Sequence, residues 1–114
     1  MPNNSARRGA YFKGRTRRWL LRHGYQIAEF EVVRWVGAPG GARFPVKRDQ
    51  WGADLVAMDA TRIVFVQVKG GTAARGNFPD ARRKFAAVTW APGVERWIVA
   101  WLPRARDPRV VVVP

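Results

Sequence analysis

The chain contains no cysteine. That removes disulfides, thiolate metal sites and cysteine nucleophiles together, and the expected setting is cytoplasmic, or the host cytoplasm if the source is viral. No apolar run approaches the ~18 residues that a membrane span needs. The opening stretch, MPNNSARRGAYFKGR, lacks the apolar segment of a secretory signal. No membrane partner is therefore expected. Acidic residues are scarce, with 8 Asp plus Glu against 21 Lys plus Arg, a formal net charge of +13. Histidine occurs once, at His23, and lysine four times against 17 arginines. There is no internal repeat and no low-complexity segment.

What remains is a chain of 114 residues, 47% of them hydrophobic. This length fits one domain over residues 1–114, with a short basic arm at 1–8. Its core must be thin, because small domains bury a smaller fraction of their surface, and self-association is a natural supplement. The positive charge predicts attraction to polyanions. Arginine's planar fork matches phosphate oxygens two at a time, so nucleic acid is the expected partner. A basic ribosomal or membrane-surface protein can reach the same total.

Helical spacing of Phe12, Thr16, Trp19 and Leu20 predicts a helix over Gly9–His23, with Gly24 just past its end. Lys13, Arg15, Arg17, Arg18 and Arg22 fill much of the remaining helix surface. His23 in the last turn reads as a solvated cation facing the helix dipole. Tyr25–Val36 reads as a strand. Gly37–Gly52 is rich in Gly and Pro and reads as a loop or long hairpin connection. It carries Arg43, Lys47 and Arg48. Strands follow at Ala53–Met58 and Arg62–Lys69, joined by a turn at Asp59-Ala60-Thr61. Gly70–Asn77, with Arg75, reads as a flexible loop. A second helix runs from Pro79 and Asp80 to about Val88. Trp97–Leu102 and Arg109–Val113 close the chain as strands. The predicted order is α-β-β-β-α-β-β, an α/β fold with a central mixed sheet flanked by helices.

Chemistry concentrates in GAD, at Gly52-Ala53-Asp54, and QVK, at Gln67-Val68-Lys69. Residues two apart on a strand share a face, so Gln67 and Lys69 point together while Val68 points into the core. The short hairpin brings Asp54 beside them at one sheet edge. Such a set suits phosphodiester hydrolysis. A carboxylate holds a hard divalent cation through oxygen, and the Val68 carbonyl and Gln67 side-chain oxygen can add ligands. The cation polarises the phosphate and activates a water, and Lys69 orients that water or stabilises developing charge. Singly, an Asp at a strand start and a Lys at a strand end are ordinary turn and edge residues. Gln67 is the odder one, because it interrupts the apolar run Ile63-Val64-Phe65-Val66. Trp19, Trp97 and Trp101 sit at core-like positions. Trp51, beside the GAD turn, reads as core or as a surface on which a base stacks.

These segments resemble the PD-(D/E)XK nuclease superfamily, and within it the archaeal-type Holliday junction resolvases and their phage relatives. In that family a basic helix opens on a KGA-like segment and ends in HGF or HGY. Arg8-Gly9-Ala10 and Arg22-His23-Gly24-Tyr25 stand here at similar spacing. The family's D…ExK motif falls on Asp54, Gln67 and Lys69, a QxK variant of the kind familiar in Mrr-like restriction nucleases. The resemblance covers nearly the whole chain. It implies a restriction-endonuclease-like fold, Mg²⁺ (or Mn²⁺) as cofactor, and metal-dependent cleavage of DNA, possibly branched. A homodimer is expected, since cutting two strands of a junction calls for two symmetry-related sites. Asp54, Gln67, Val68 and Glu31 are the candidate metal ligands. Arg8, Lys13, Arg15, Arg18, Arg43, Lys47, Arg48 and Arg75 are the candidate DNA contacts.

One further departure bears on activity. The helix-one glutamate of the resolvases falls near Lys13, which cannot ligate a cation. Glu31 ranks first as its replacement, followed by Glu29 on the same strand face and Asp49 in the loop before Asp54; the alternative reading is that Glu29 and Glu31 only pair with arginines. Two functional readings follow: a structure-specific endonuclease, or a DNA-binding module that kept the fold and lost the chemistry.

Overall fold

A computed structural model describes residues 4–37 and 40–114, apart from the side chains of residues 4–6, 31–34, 36 and 44–49. Helix α1 spans Asn4–Arg22. It starts before the predicted Gly9 and takes in most of the stretch expected to be an arm, since Ser, Ala and Arg are compatible with helix and charge alone does not break one. It ends as expected. The Tyr25 N–H donates to the Leu20 carbonyl at 3.1 Å and the Gly24 N–H to Leu21 at 3.1 Å. Gly24 takes φ +87°, so the helix closes in a Schellman motif that needs a left-handed residue at that position.

The segment predicted as one strand over Tyr25–Val36 is two: β1, Gln26–Glu29, and β2, Glu31–Gly37. At Phe30 the chain leaves the main sheet, and its N–H donates to the Asp54 carbonyl at 2.9 Å. β2 pairs instead with β3, Arg43–Asp49, as a separate antiparallel ribbon running from Glu31↔Asp49 to Gly37↔Arg43. The Gly37–Gly52 stretch thus contains a strand. Pro45 is tolerated there because a two-stranded ribbon has a free edge on each strand.

The main sheet also holds β4, Leu55–Met58, β5, Ile63–Gly70, β6, Glu95–Trp101, and β7, Arg109–Val113. Its order is β1-β4-β5-β6-β7. Only β5 and β6 run parallel, so the sheet is mixed, as expected. The crossover between them carries a 3₁₀ helix, Gly71–Ala74, and helix α2, Pro79–Ala86. The first replaces part of the predicted flexible loop.

Helices cover both faces. Leu20 of α1 packs with Leu55, Ala57, Val64, Val66, Trp97, Val99 and Trp101. Ala81 and Phe85 of α2 pack with Ala53, Ala74, Phe78, Ile98, Ala100 and Val113. β6, paired on both edges and covered on both faces, reads accordingly as an unbroken apolar run, Trp97-Ile98-Val99-Ala100-Trp101. The C-terminal end of β5 is where this layered core stops and polar groups begin.

Candidate active site

Asp54 lies one residue before β4, and its N–H donates to the Val66 carbonyl at 2.8 Å. Since Leu55 pairs with Val66, Asp54 stands opposite Gln67. Directly opposed residues share a sheet face. The turn that delivers Asp54 is tight. Trp51 and Gly52 both have positive φ, 54° and 80°. A Cβ at Gly52 would lie 3.0 Å from the Lys84 Cβ and 3.3 Å from the Phe85 nitrogen. The glycine of GAD therefore meets two demands at once, a left-handed backbone and close approach to α2.

Val64, Val66 and Val68 pack toward α1. Alternation turns Phe65, Gln67 and Lys69 to the other face. Asp54, Gln67 and Lys69 line one cavity of about 370 Å³, closed at the sheet end by Arg8, Phe12 and Lys13 of α1. Asp54 and Gln67 are each only 7% exposed. The Asp54 Oδ2 accepts from the Val68 N–H at 2.9 Å, and the Lys13 Nζ stands 4.0 Å from Oδ1. Gln67 Oε1 is buried with no hydrogen-bond partner among the described residues. A buried acceptor left in that state costs about 1–3 kcal/mol, and native structures seldom keep one without an ion, a water or a function to account for it.

These groups fit a hard divalent cation in kind. The Asp54 carboxylate, Gln67 Oε1 and the Val68 carbonyl are all oxygen donors. No cluster of three or more His, Cys, Asp or Glu side chains occurs among the described residues, and Asp54 is the one carboxylate among the described residues that line the cavity. The side chains of Glu31 and Asp49 lie outside the described residues. Their backbones pair with each other at the end of the ribbon rooted beside Asp54. Glu29 is ion-paired with Arg17.

The basic residues divide. Arg8 and Lys13 line the cavity; Arg18, Arg43 and Arg75 are exposed. The side chains of Lys47 and Arg48 lie outside the described residues. Arg15 is turned inward: its guanidinium stacks on Trp101 at 4.2 Å and donates to the Ala105 carbonyl at 2.9 Å. His23 packs on Trp19, at the opposite end of α1 from Arg8. Trp51 is 52% exposed and touches Phe30, Phe65 and Trp90, so it caps an aromatic cluster. Sequence reasoning missed the approach of Lys13 to Asp54 and the seat of Phe12 on Gly70, where a Cβ would come within 2.0 Å of the ring. The Gly70-Gly71 pair was the available signal for the second.

The architecture is an α/β fold of the restriction-endonuclease-like kind. Among solved structures it is similar to the Holliday junction resolvase Hjc of the archaeal hyperthermophile Archaeoglobus fulgidus, with a TM-score of 0.52 and 17% identity over 93% of this chain and 71% of that one. At that identity the likeness speaks of fold. No protein-family model matches the chain, and no curated protein matches it in sequence. No helix among the described residues is long and apolar enough to cross a membrane.

Proposed function

We propose that this chain is a metal-dependent endonuclease acting on DNA, branched DNA in particular, as a resolvase-like homodimer of single domains. The observation that carries the reading is the orphaned Gln67 Oε1 sharing one cavity with the buried Asp54 carboxylate and with Lys69. A buried acceptor without a partner, on a residue that lines a polar cavity beside a carboxylate, is a place for a cation. The resolvase-like fold supports the same reading.

In this scheme Asp54, Gln67 and the Val68 carbonyl hold Mg²⁺ or Mn²⁺, with Glu31 as the candidate for a further carboxylate. When bound, the cation supplies positive charge at the scissile phosphate and activation of a water. The Val68 N–H fixes one Asp54 oxygen, so the carboxylate is oriented before any ligand arrives. Lys69, half-buried on the same face, supplies charge where the phosphate becomes more negative, and burial strengthens that interaction. Arg8, Arg18, Arg43 and Arg75, with Lys47 and Arg48, hold the DNA backbone by charge.

A specific observation favours the second reading, a DNA-binding module without catalysis. Lys13, near which the helix-one glutamate of the resolvases falls, puts an ammonium 4.0 Å from Asp54 and so brings a positive charge to the place a cation would use. Cleavage of four-way, flapped and linear DNA with Mg²⁺ and with Mn²⁺, run beside Mn²⁺ titrations, separates the two. A live site predicts cleavage by the wild type, with Gln67→Glu and Lys13→Glu each tightening Mn²⁺ binding. If the wild type cuts no DNA form and neither variant rescues cutting, the endonuclease reading fails and the binding module takes its place.

A further inference from the structure

A second cavity, of about 430 Å³, adjoins the first; Arg7, Tyr11 and Pro103 line it alone, while Arg8, Phe12 and Thr72 line both. The shared wall is fixed in place. Phe12 sits on Gly70 so closely that any Cβ there would collide with its ring. Tyr11 meets Phe12 edge-on, with ring centroids 5.1 Å apart and planes at 72°. Unlike Phe12, Tyr11 is 57% exposed. The Arg15 guanidinium lies 5.9 Å from the Tyr11 ring. Two aromatic rings and a proline thus form an apolar recess, and Arg7 and Arg8 bring two cations to it.

Neither half of this arrangement is explained by the core. An exposed tyrosine contributes little to folding, and adjacent arginines at an apolar recess repel one another. A single strand of nucleic acid alternates an anionic phosphate with a flat, largely apolar base, which is the pattern displayed here. In a duplex the base faces are hidden by stacking, so only an unpaired or extruded base can enter such a recess.

We infer that this second cavity is a nucleobase pocket. It receives an unpaired base of the same DNA strand whose phosphodiester enters the Asp54 cavity, Tyr11 is its stacking surface, and Arg7 and Arg8 hold the flanking phosphates. The inference rests on the proposed action on DNA and adds to it a source of structure specificity. Diffuse arginine–phosphate attraction does not tell paired from unpaired DNA; a pocket one shared wall away from the Asp54 cavity does.

The test uses the full chain and no metal, so it reads out whether or not cleavage is found. A duplex with a single-stranded flap carries 2-aminopurine at each of the first three flap positions in turn. Binding in EDTA should quench the probe at one position. Tyr11→Ala should abolish the quench and weaken flap binding roughly tenfold, the loss expected for one stacked base, with blunt-duplex affinity unchanged. Tyr11→Trp should keep both. The pocket is overturned if Tyr11→Ala retains the quench and the affinity, or loses duplex and flap binding equally. It is also overturned if that variant loses self-association instead, which would assign the recess to a second copy of the chain. Failure to bind any DNA would remove the pocket together with the proposed function.

Discussion

Two aspartates bracket β4, and they are held in opposite ways. Asp59, in the turn that closes the hairpin, has one oxygen filled from its own neighbourhood. Its Oδ1 accepts from the Thr61 N–H at 2.8 Å, the Thr61 hydroxyl at 2.9 Å and the Arg62 N–H at 2.9 Å. Asp54, at the opposite, open end, is buried and meets groups remote in sequence: the Val68 N–H, Lys13 and, across the ladder, Gln67. The first carboxylate completes a local turn motif, of the sort Asp forms wherever a chain reverses. The second is carried into a cavity by tertiary structure, beside an acceptor that has no partner among the described residues. Position in a turn therefore says little about role; what differs is whether the surroundings satisfy the group or assemble further polar groups around it.

Removing each carboxylate should break the symmetry between the two ends. Asp54→Ala and Lys69→Ala should each lower single-turnover cleavage of branched DNA by about a thousandfold or more, since each deletes charge that acts on the reacting phosphate. DNA affinity should persist. Asp59→Ala should cleave within about twofold of the wild type, as expected for a surface change remote from the cavity. Equal losses at both ends would mean that the two carboxylates serve only folding.

Packing distinguishes the ends next. Gly70→Ala places a methyl within 2.0 Å of the Phe12 ring. Overpacking of this kind costs about 1–3 kcal/mol, readable in urea denaturation. Ala60→Ser, in the exposed turn, should stay within about 0.5 kcal/mol of the wild type. The arginines of α1 divide on the same principle. Arg18→Ala should flatten the dependence of log K on log salt by about 0.9 if it neutralises one phosphate. Arg15→Ala should leave that slope alone and lower stability by about 1–2 kcal/mol, through loss of its stack on Trp101 and its bond to Ala105.

Much of this arrangement was legible in the residues. β5, β6 and β7 announce themselves as apolar runs between turn signals, and the common face of Gln67 and Lys69 follows from strand period alone. The Schellman end at Gly24 follows from one glycine. The break at Phe30 was not legible, because Gln26 to Val36 alternates without Gly or Pro. The chain leaves the sheet there because β4 offers β1 only four partners, Leu55 to Met58. β3 was hidden by Gly40, Gly41 and Pro45, which are turn residues by composition and sit in or beside a ribbon. Arg15 carries the same charge as Arg18. Partners far along the chain, the Trp101 ring and the Ala105 carbonyl, hold it inward. The approach of Lys13 to Asp54 is likewise a property of how α1 crosses the sheet end.

The smallest effect expected is also the cleanest in sign, and it belongs to Asp59. Its carboxyl is held below the ordinary value of 3.8, chiefly by the Thr61 backbone N–H; desolvation opposes this as the next largest effect, and the Thr61 hydroxyl, the Arg62 N–H and the Arg62 charge add to the lowering. A group whose folded pKa is depressed stabilises the fold above its unfolded pKa and loses that contribution as pH falls through the folded value. The midpoint difference between wild type and Asp59→Ala in urea should therefore be constant from neutral pH to about pH 5. It should begin to shrink near 3.8 and close at lower pH. Thr61→Ala keeps the backbone N–H, the largest cause, and should retain most of the pH dependence while losing the hydroxyl's share. A difference that persists undiminished at pH 2, or grows on acidification, would show that Asp59 acts through something other than its ionised carboxylate. Asp59 would then not be a locally satisfied carboxylate, and only Asp54 would owe its role to its surroundings.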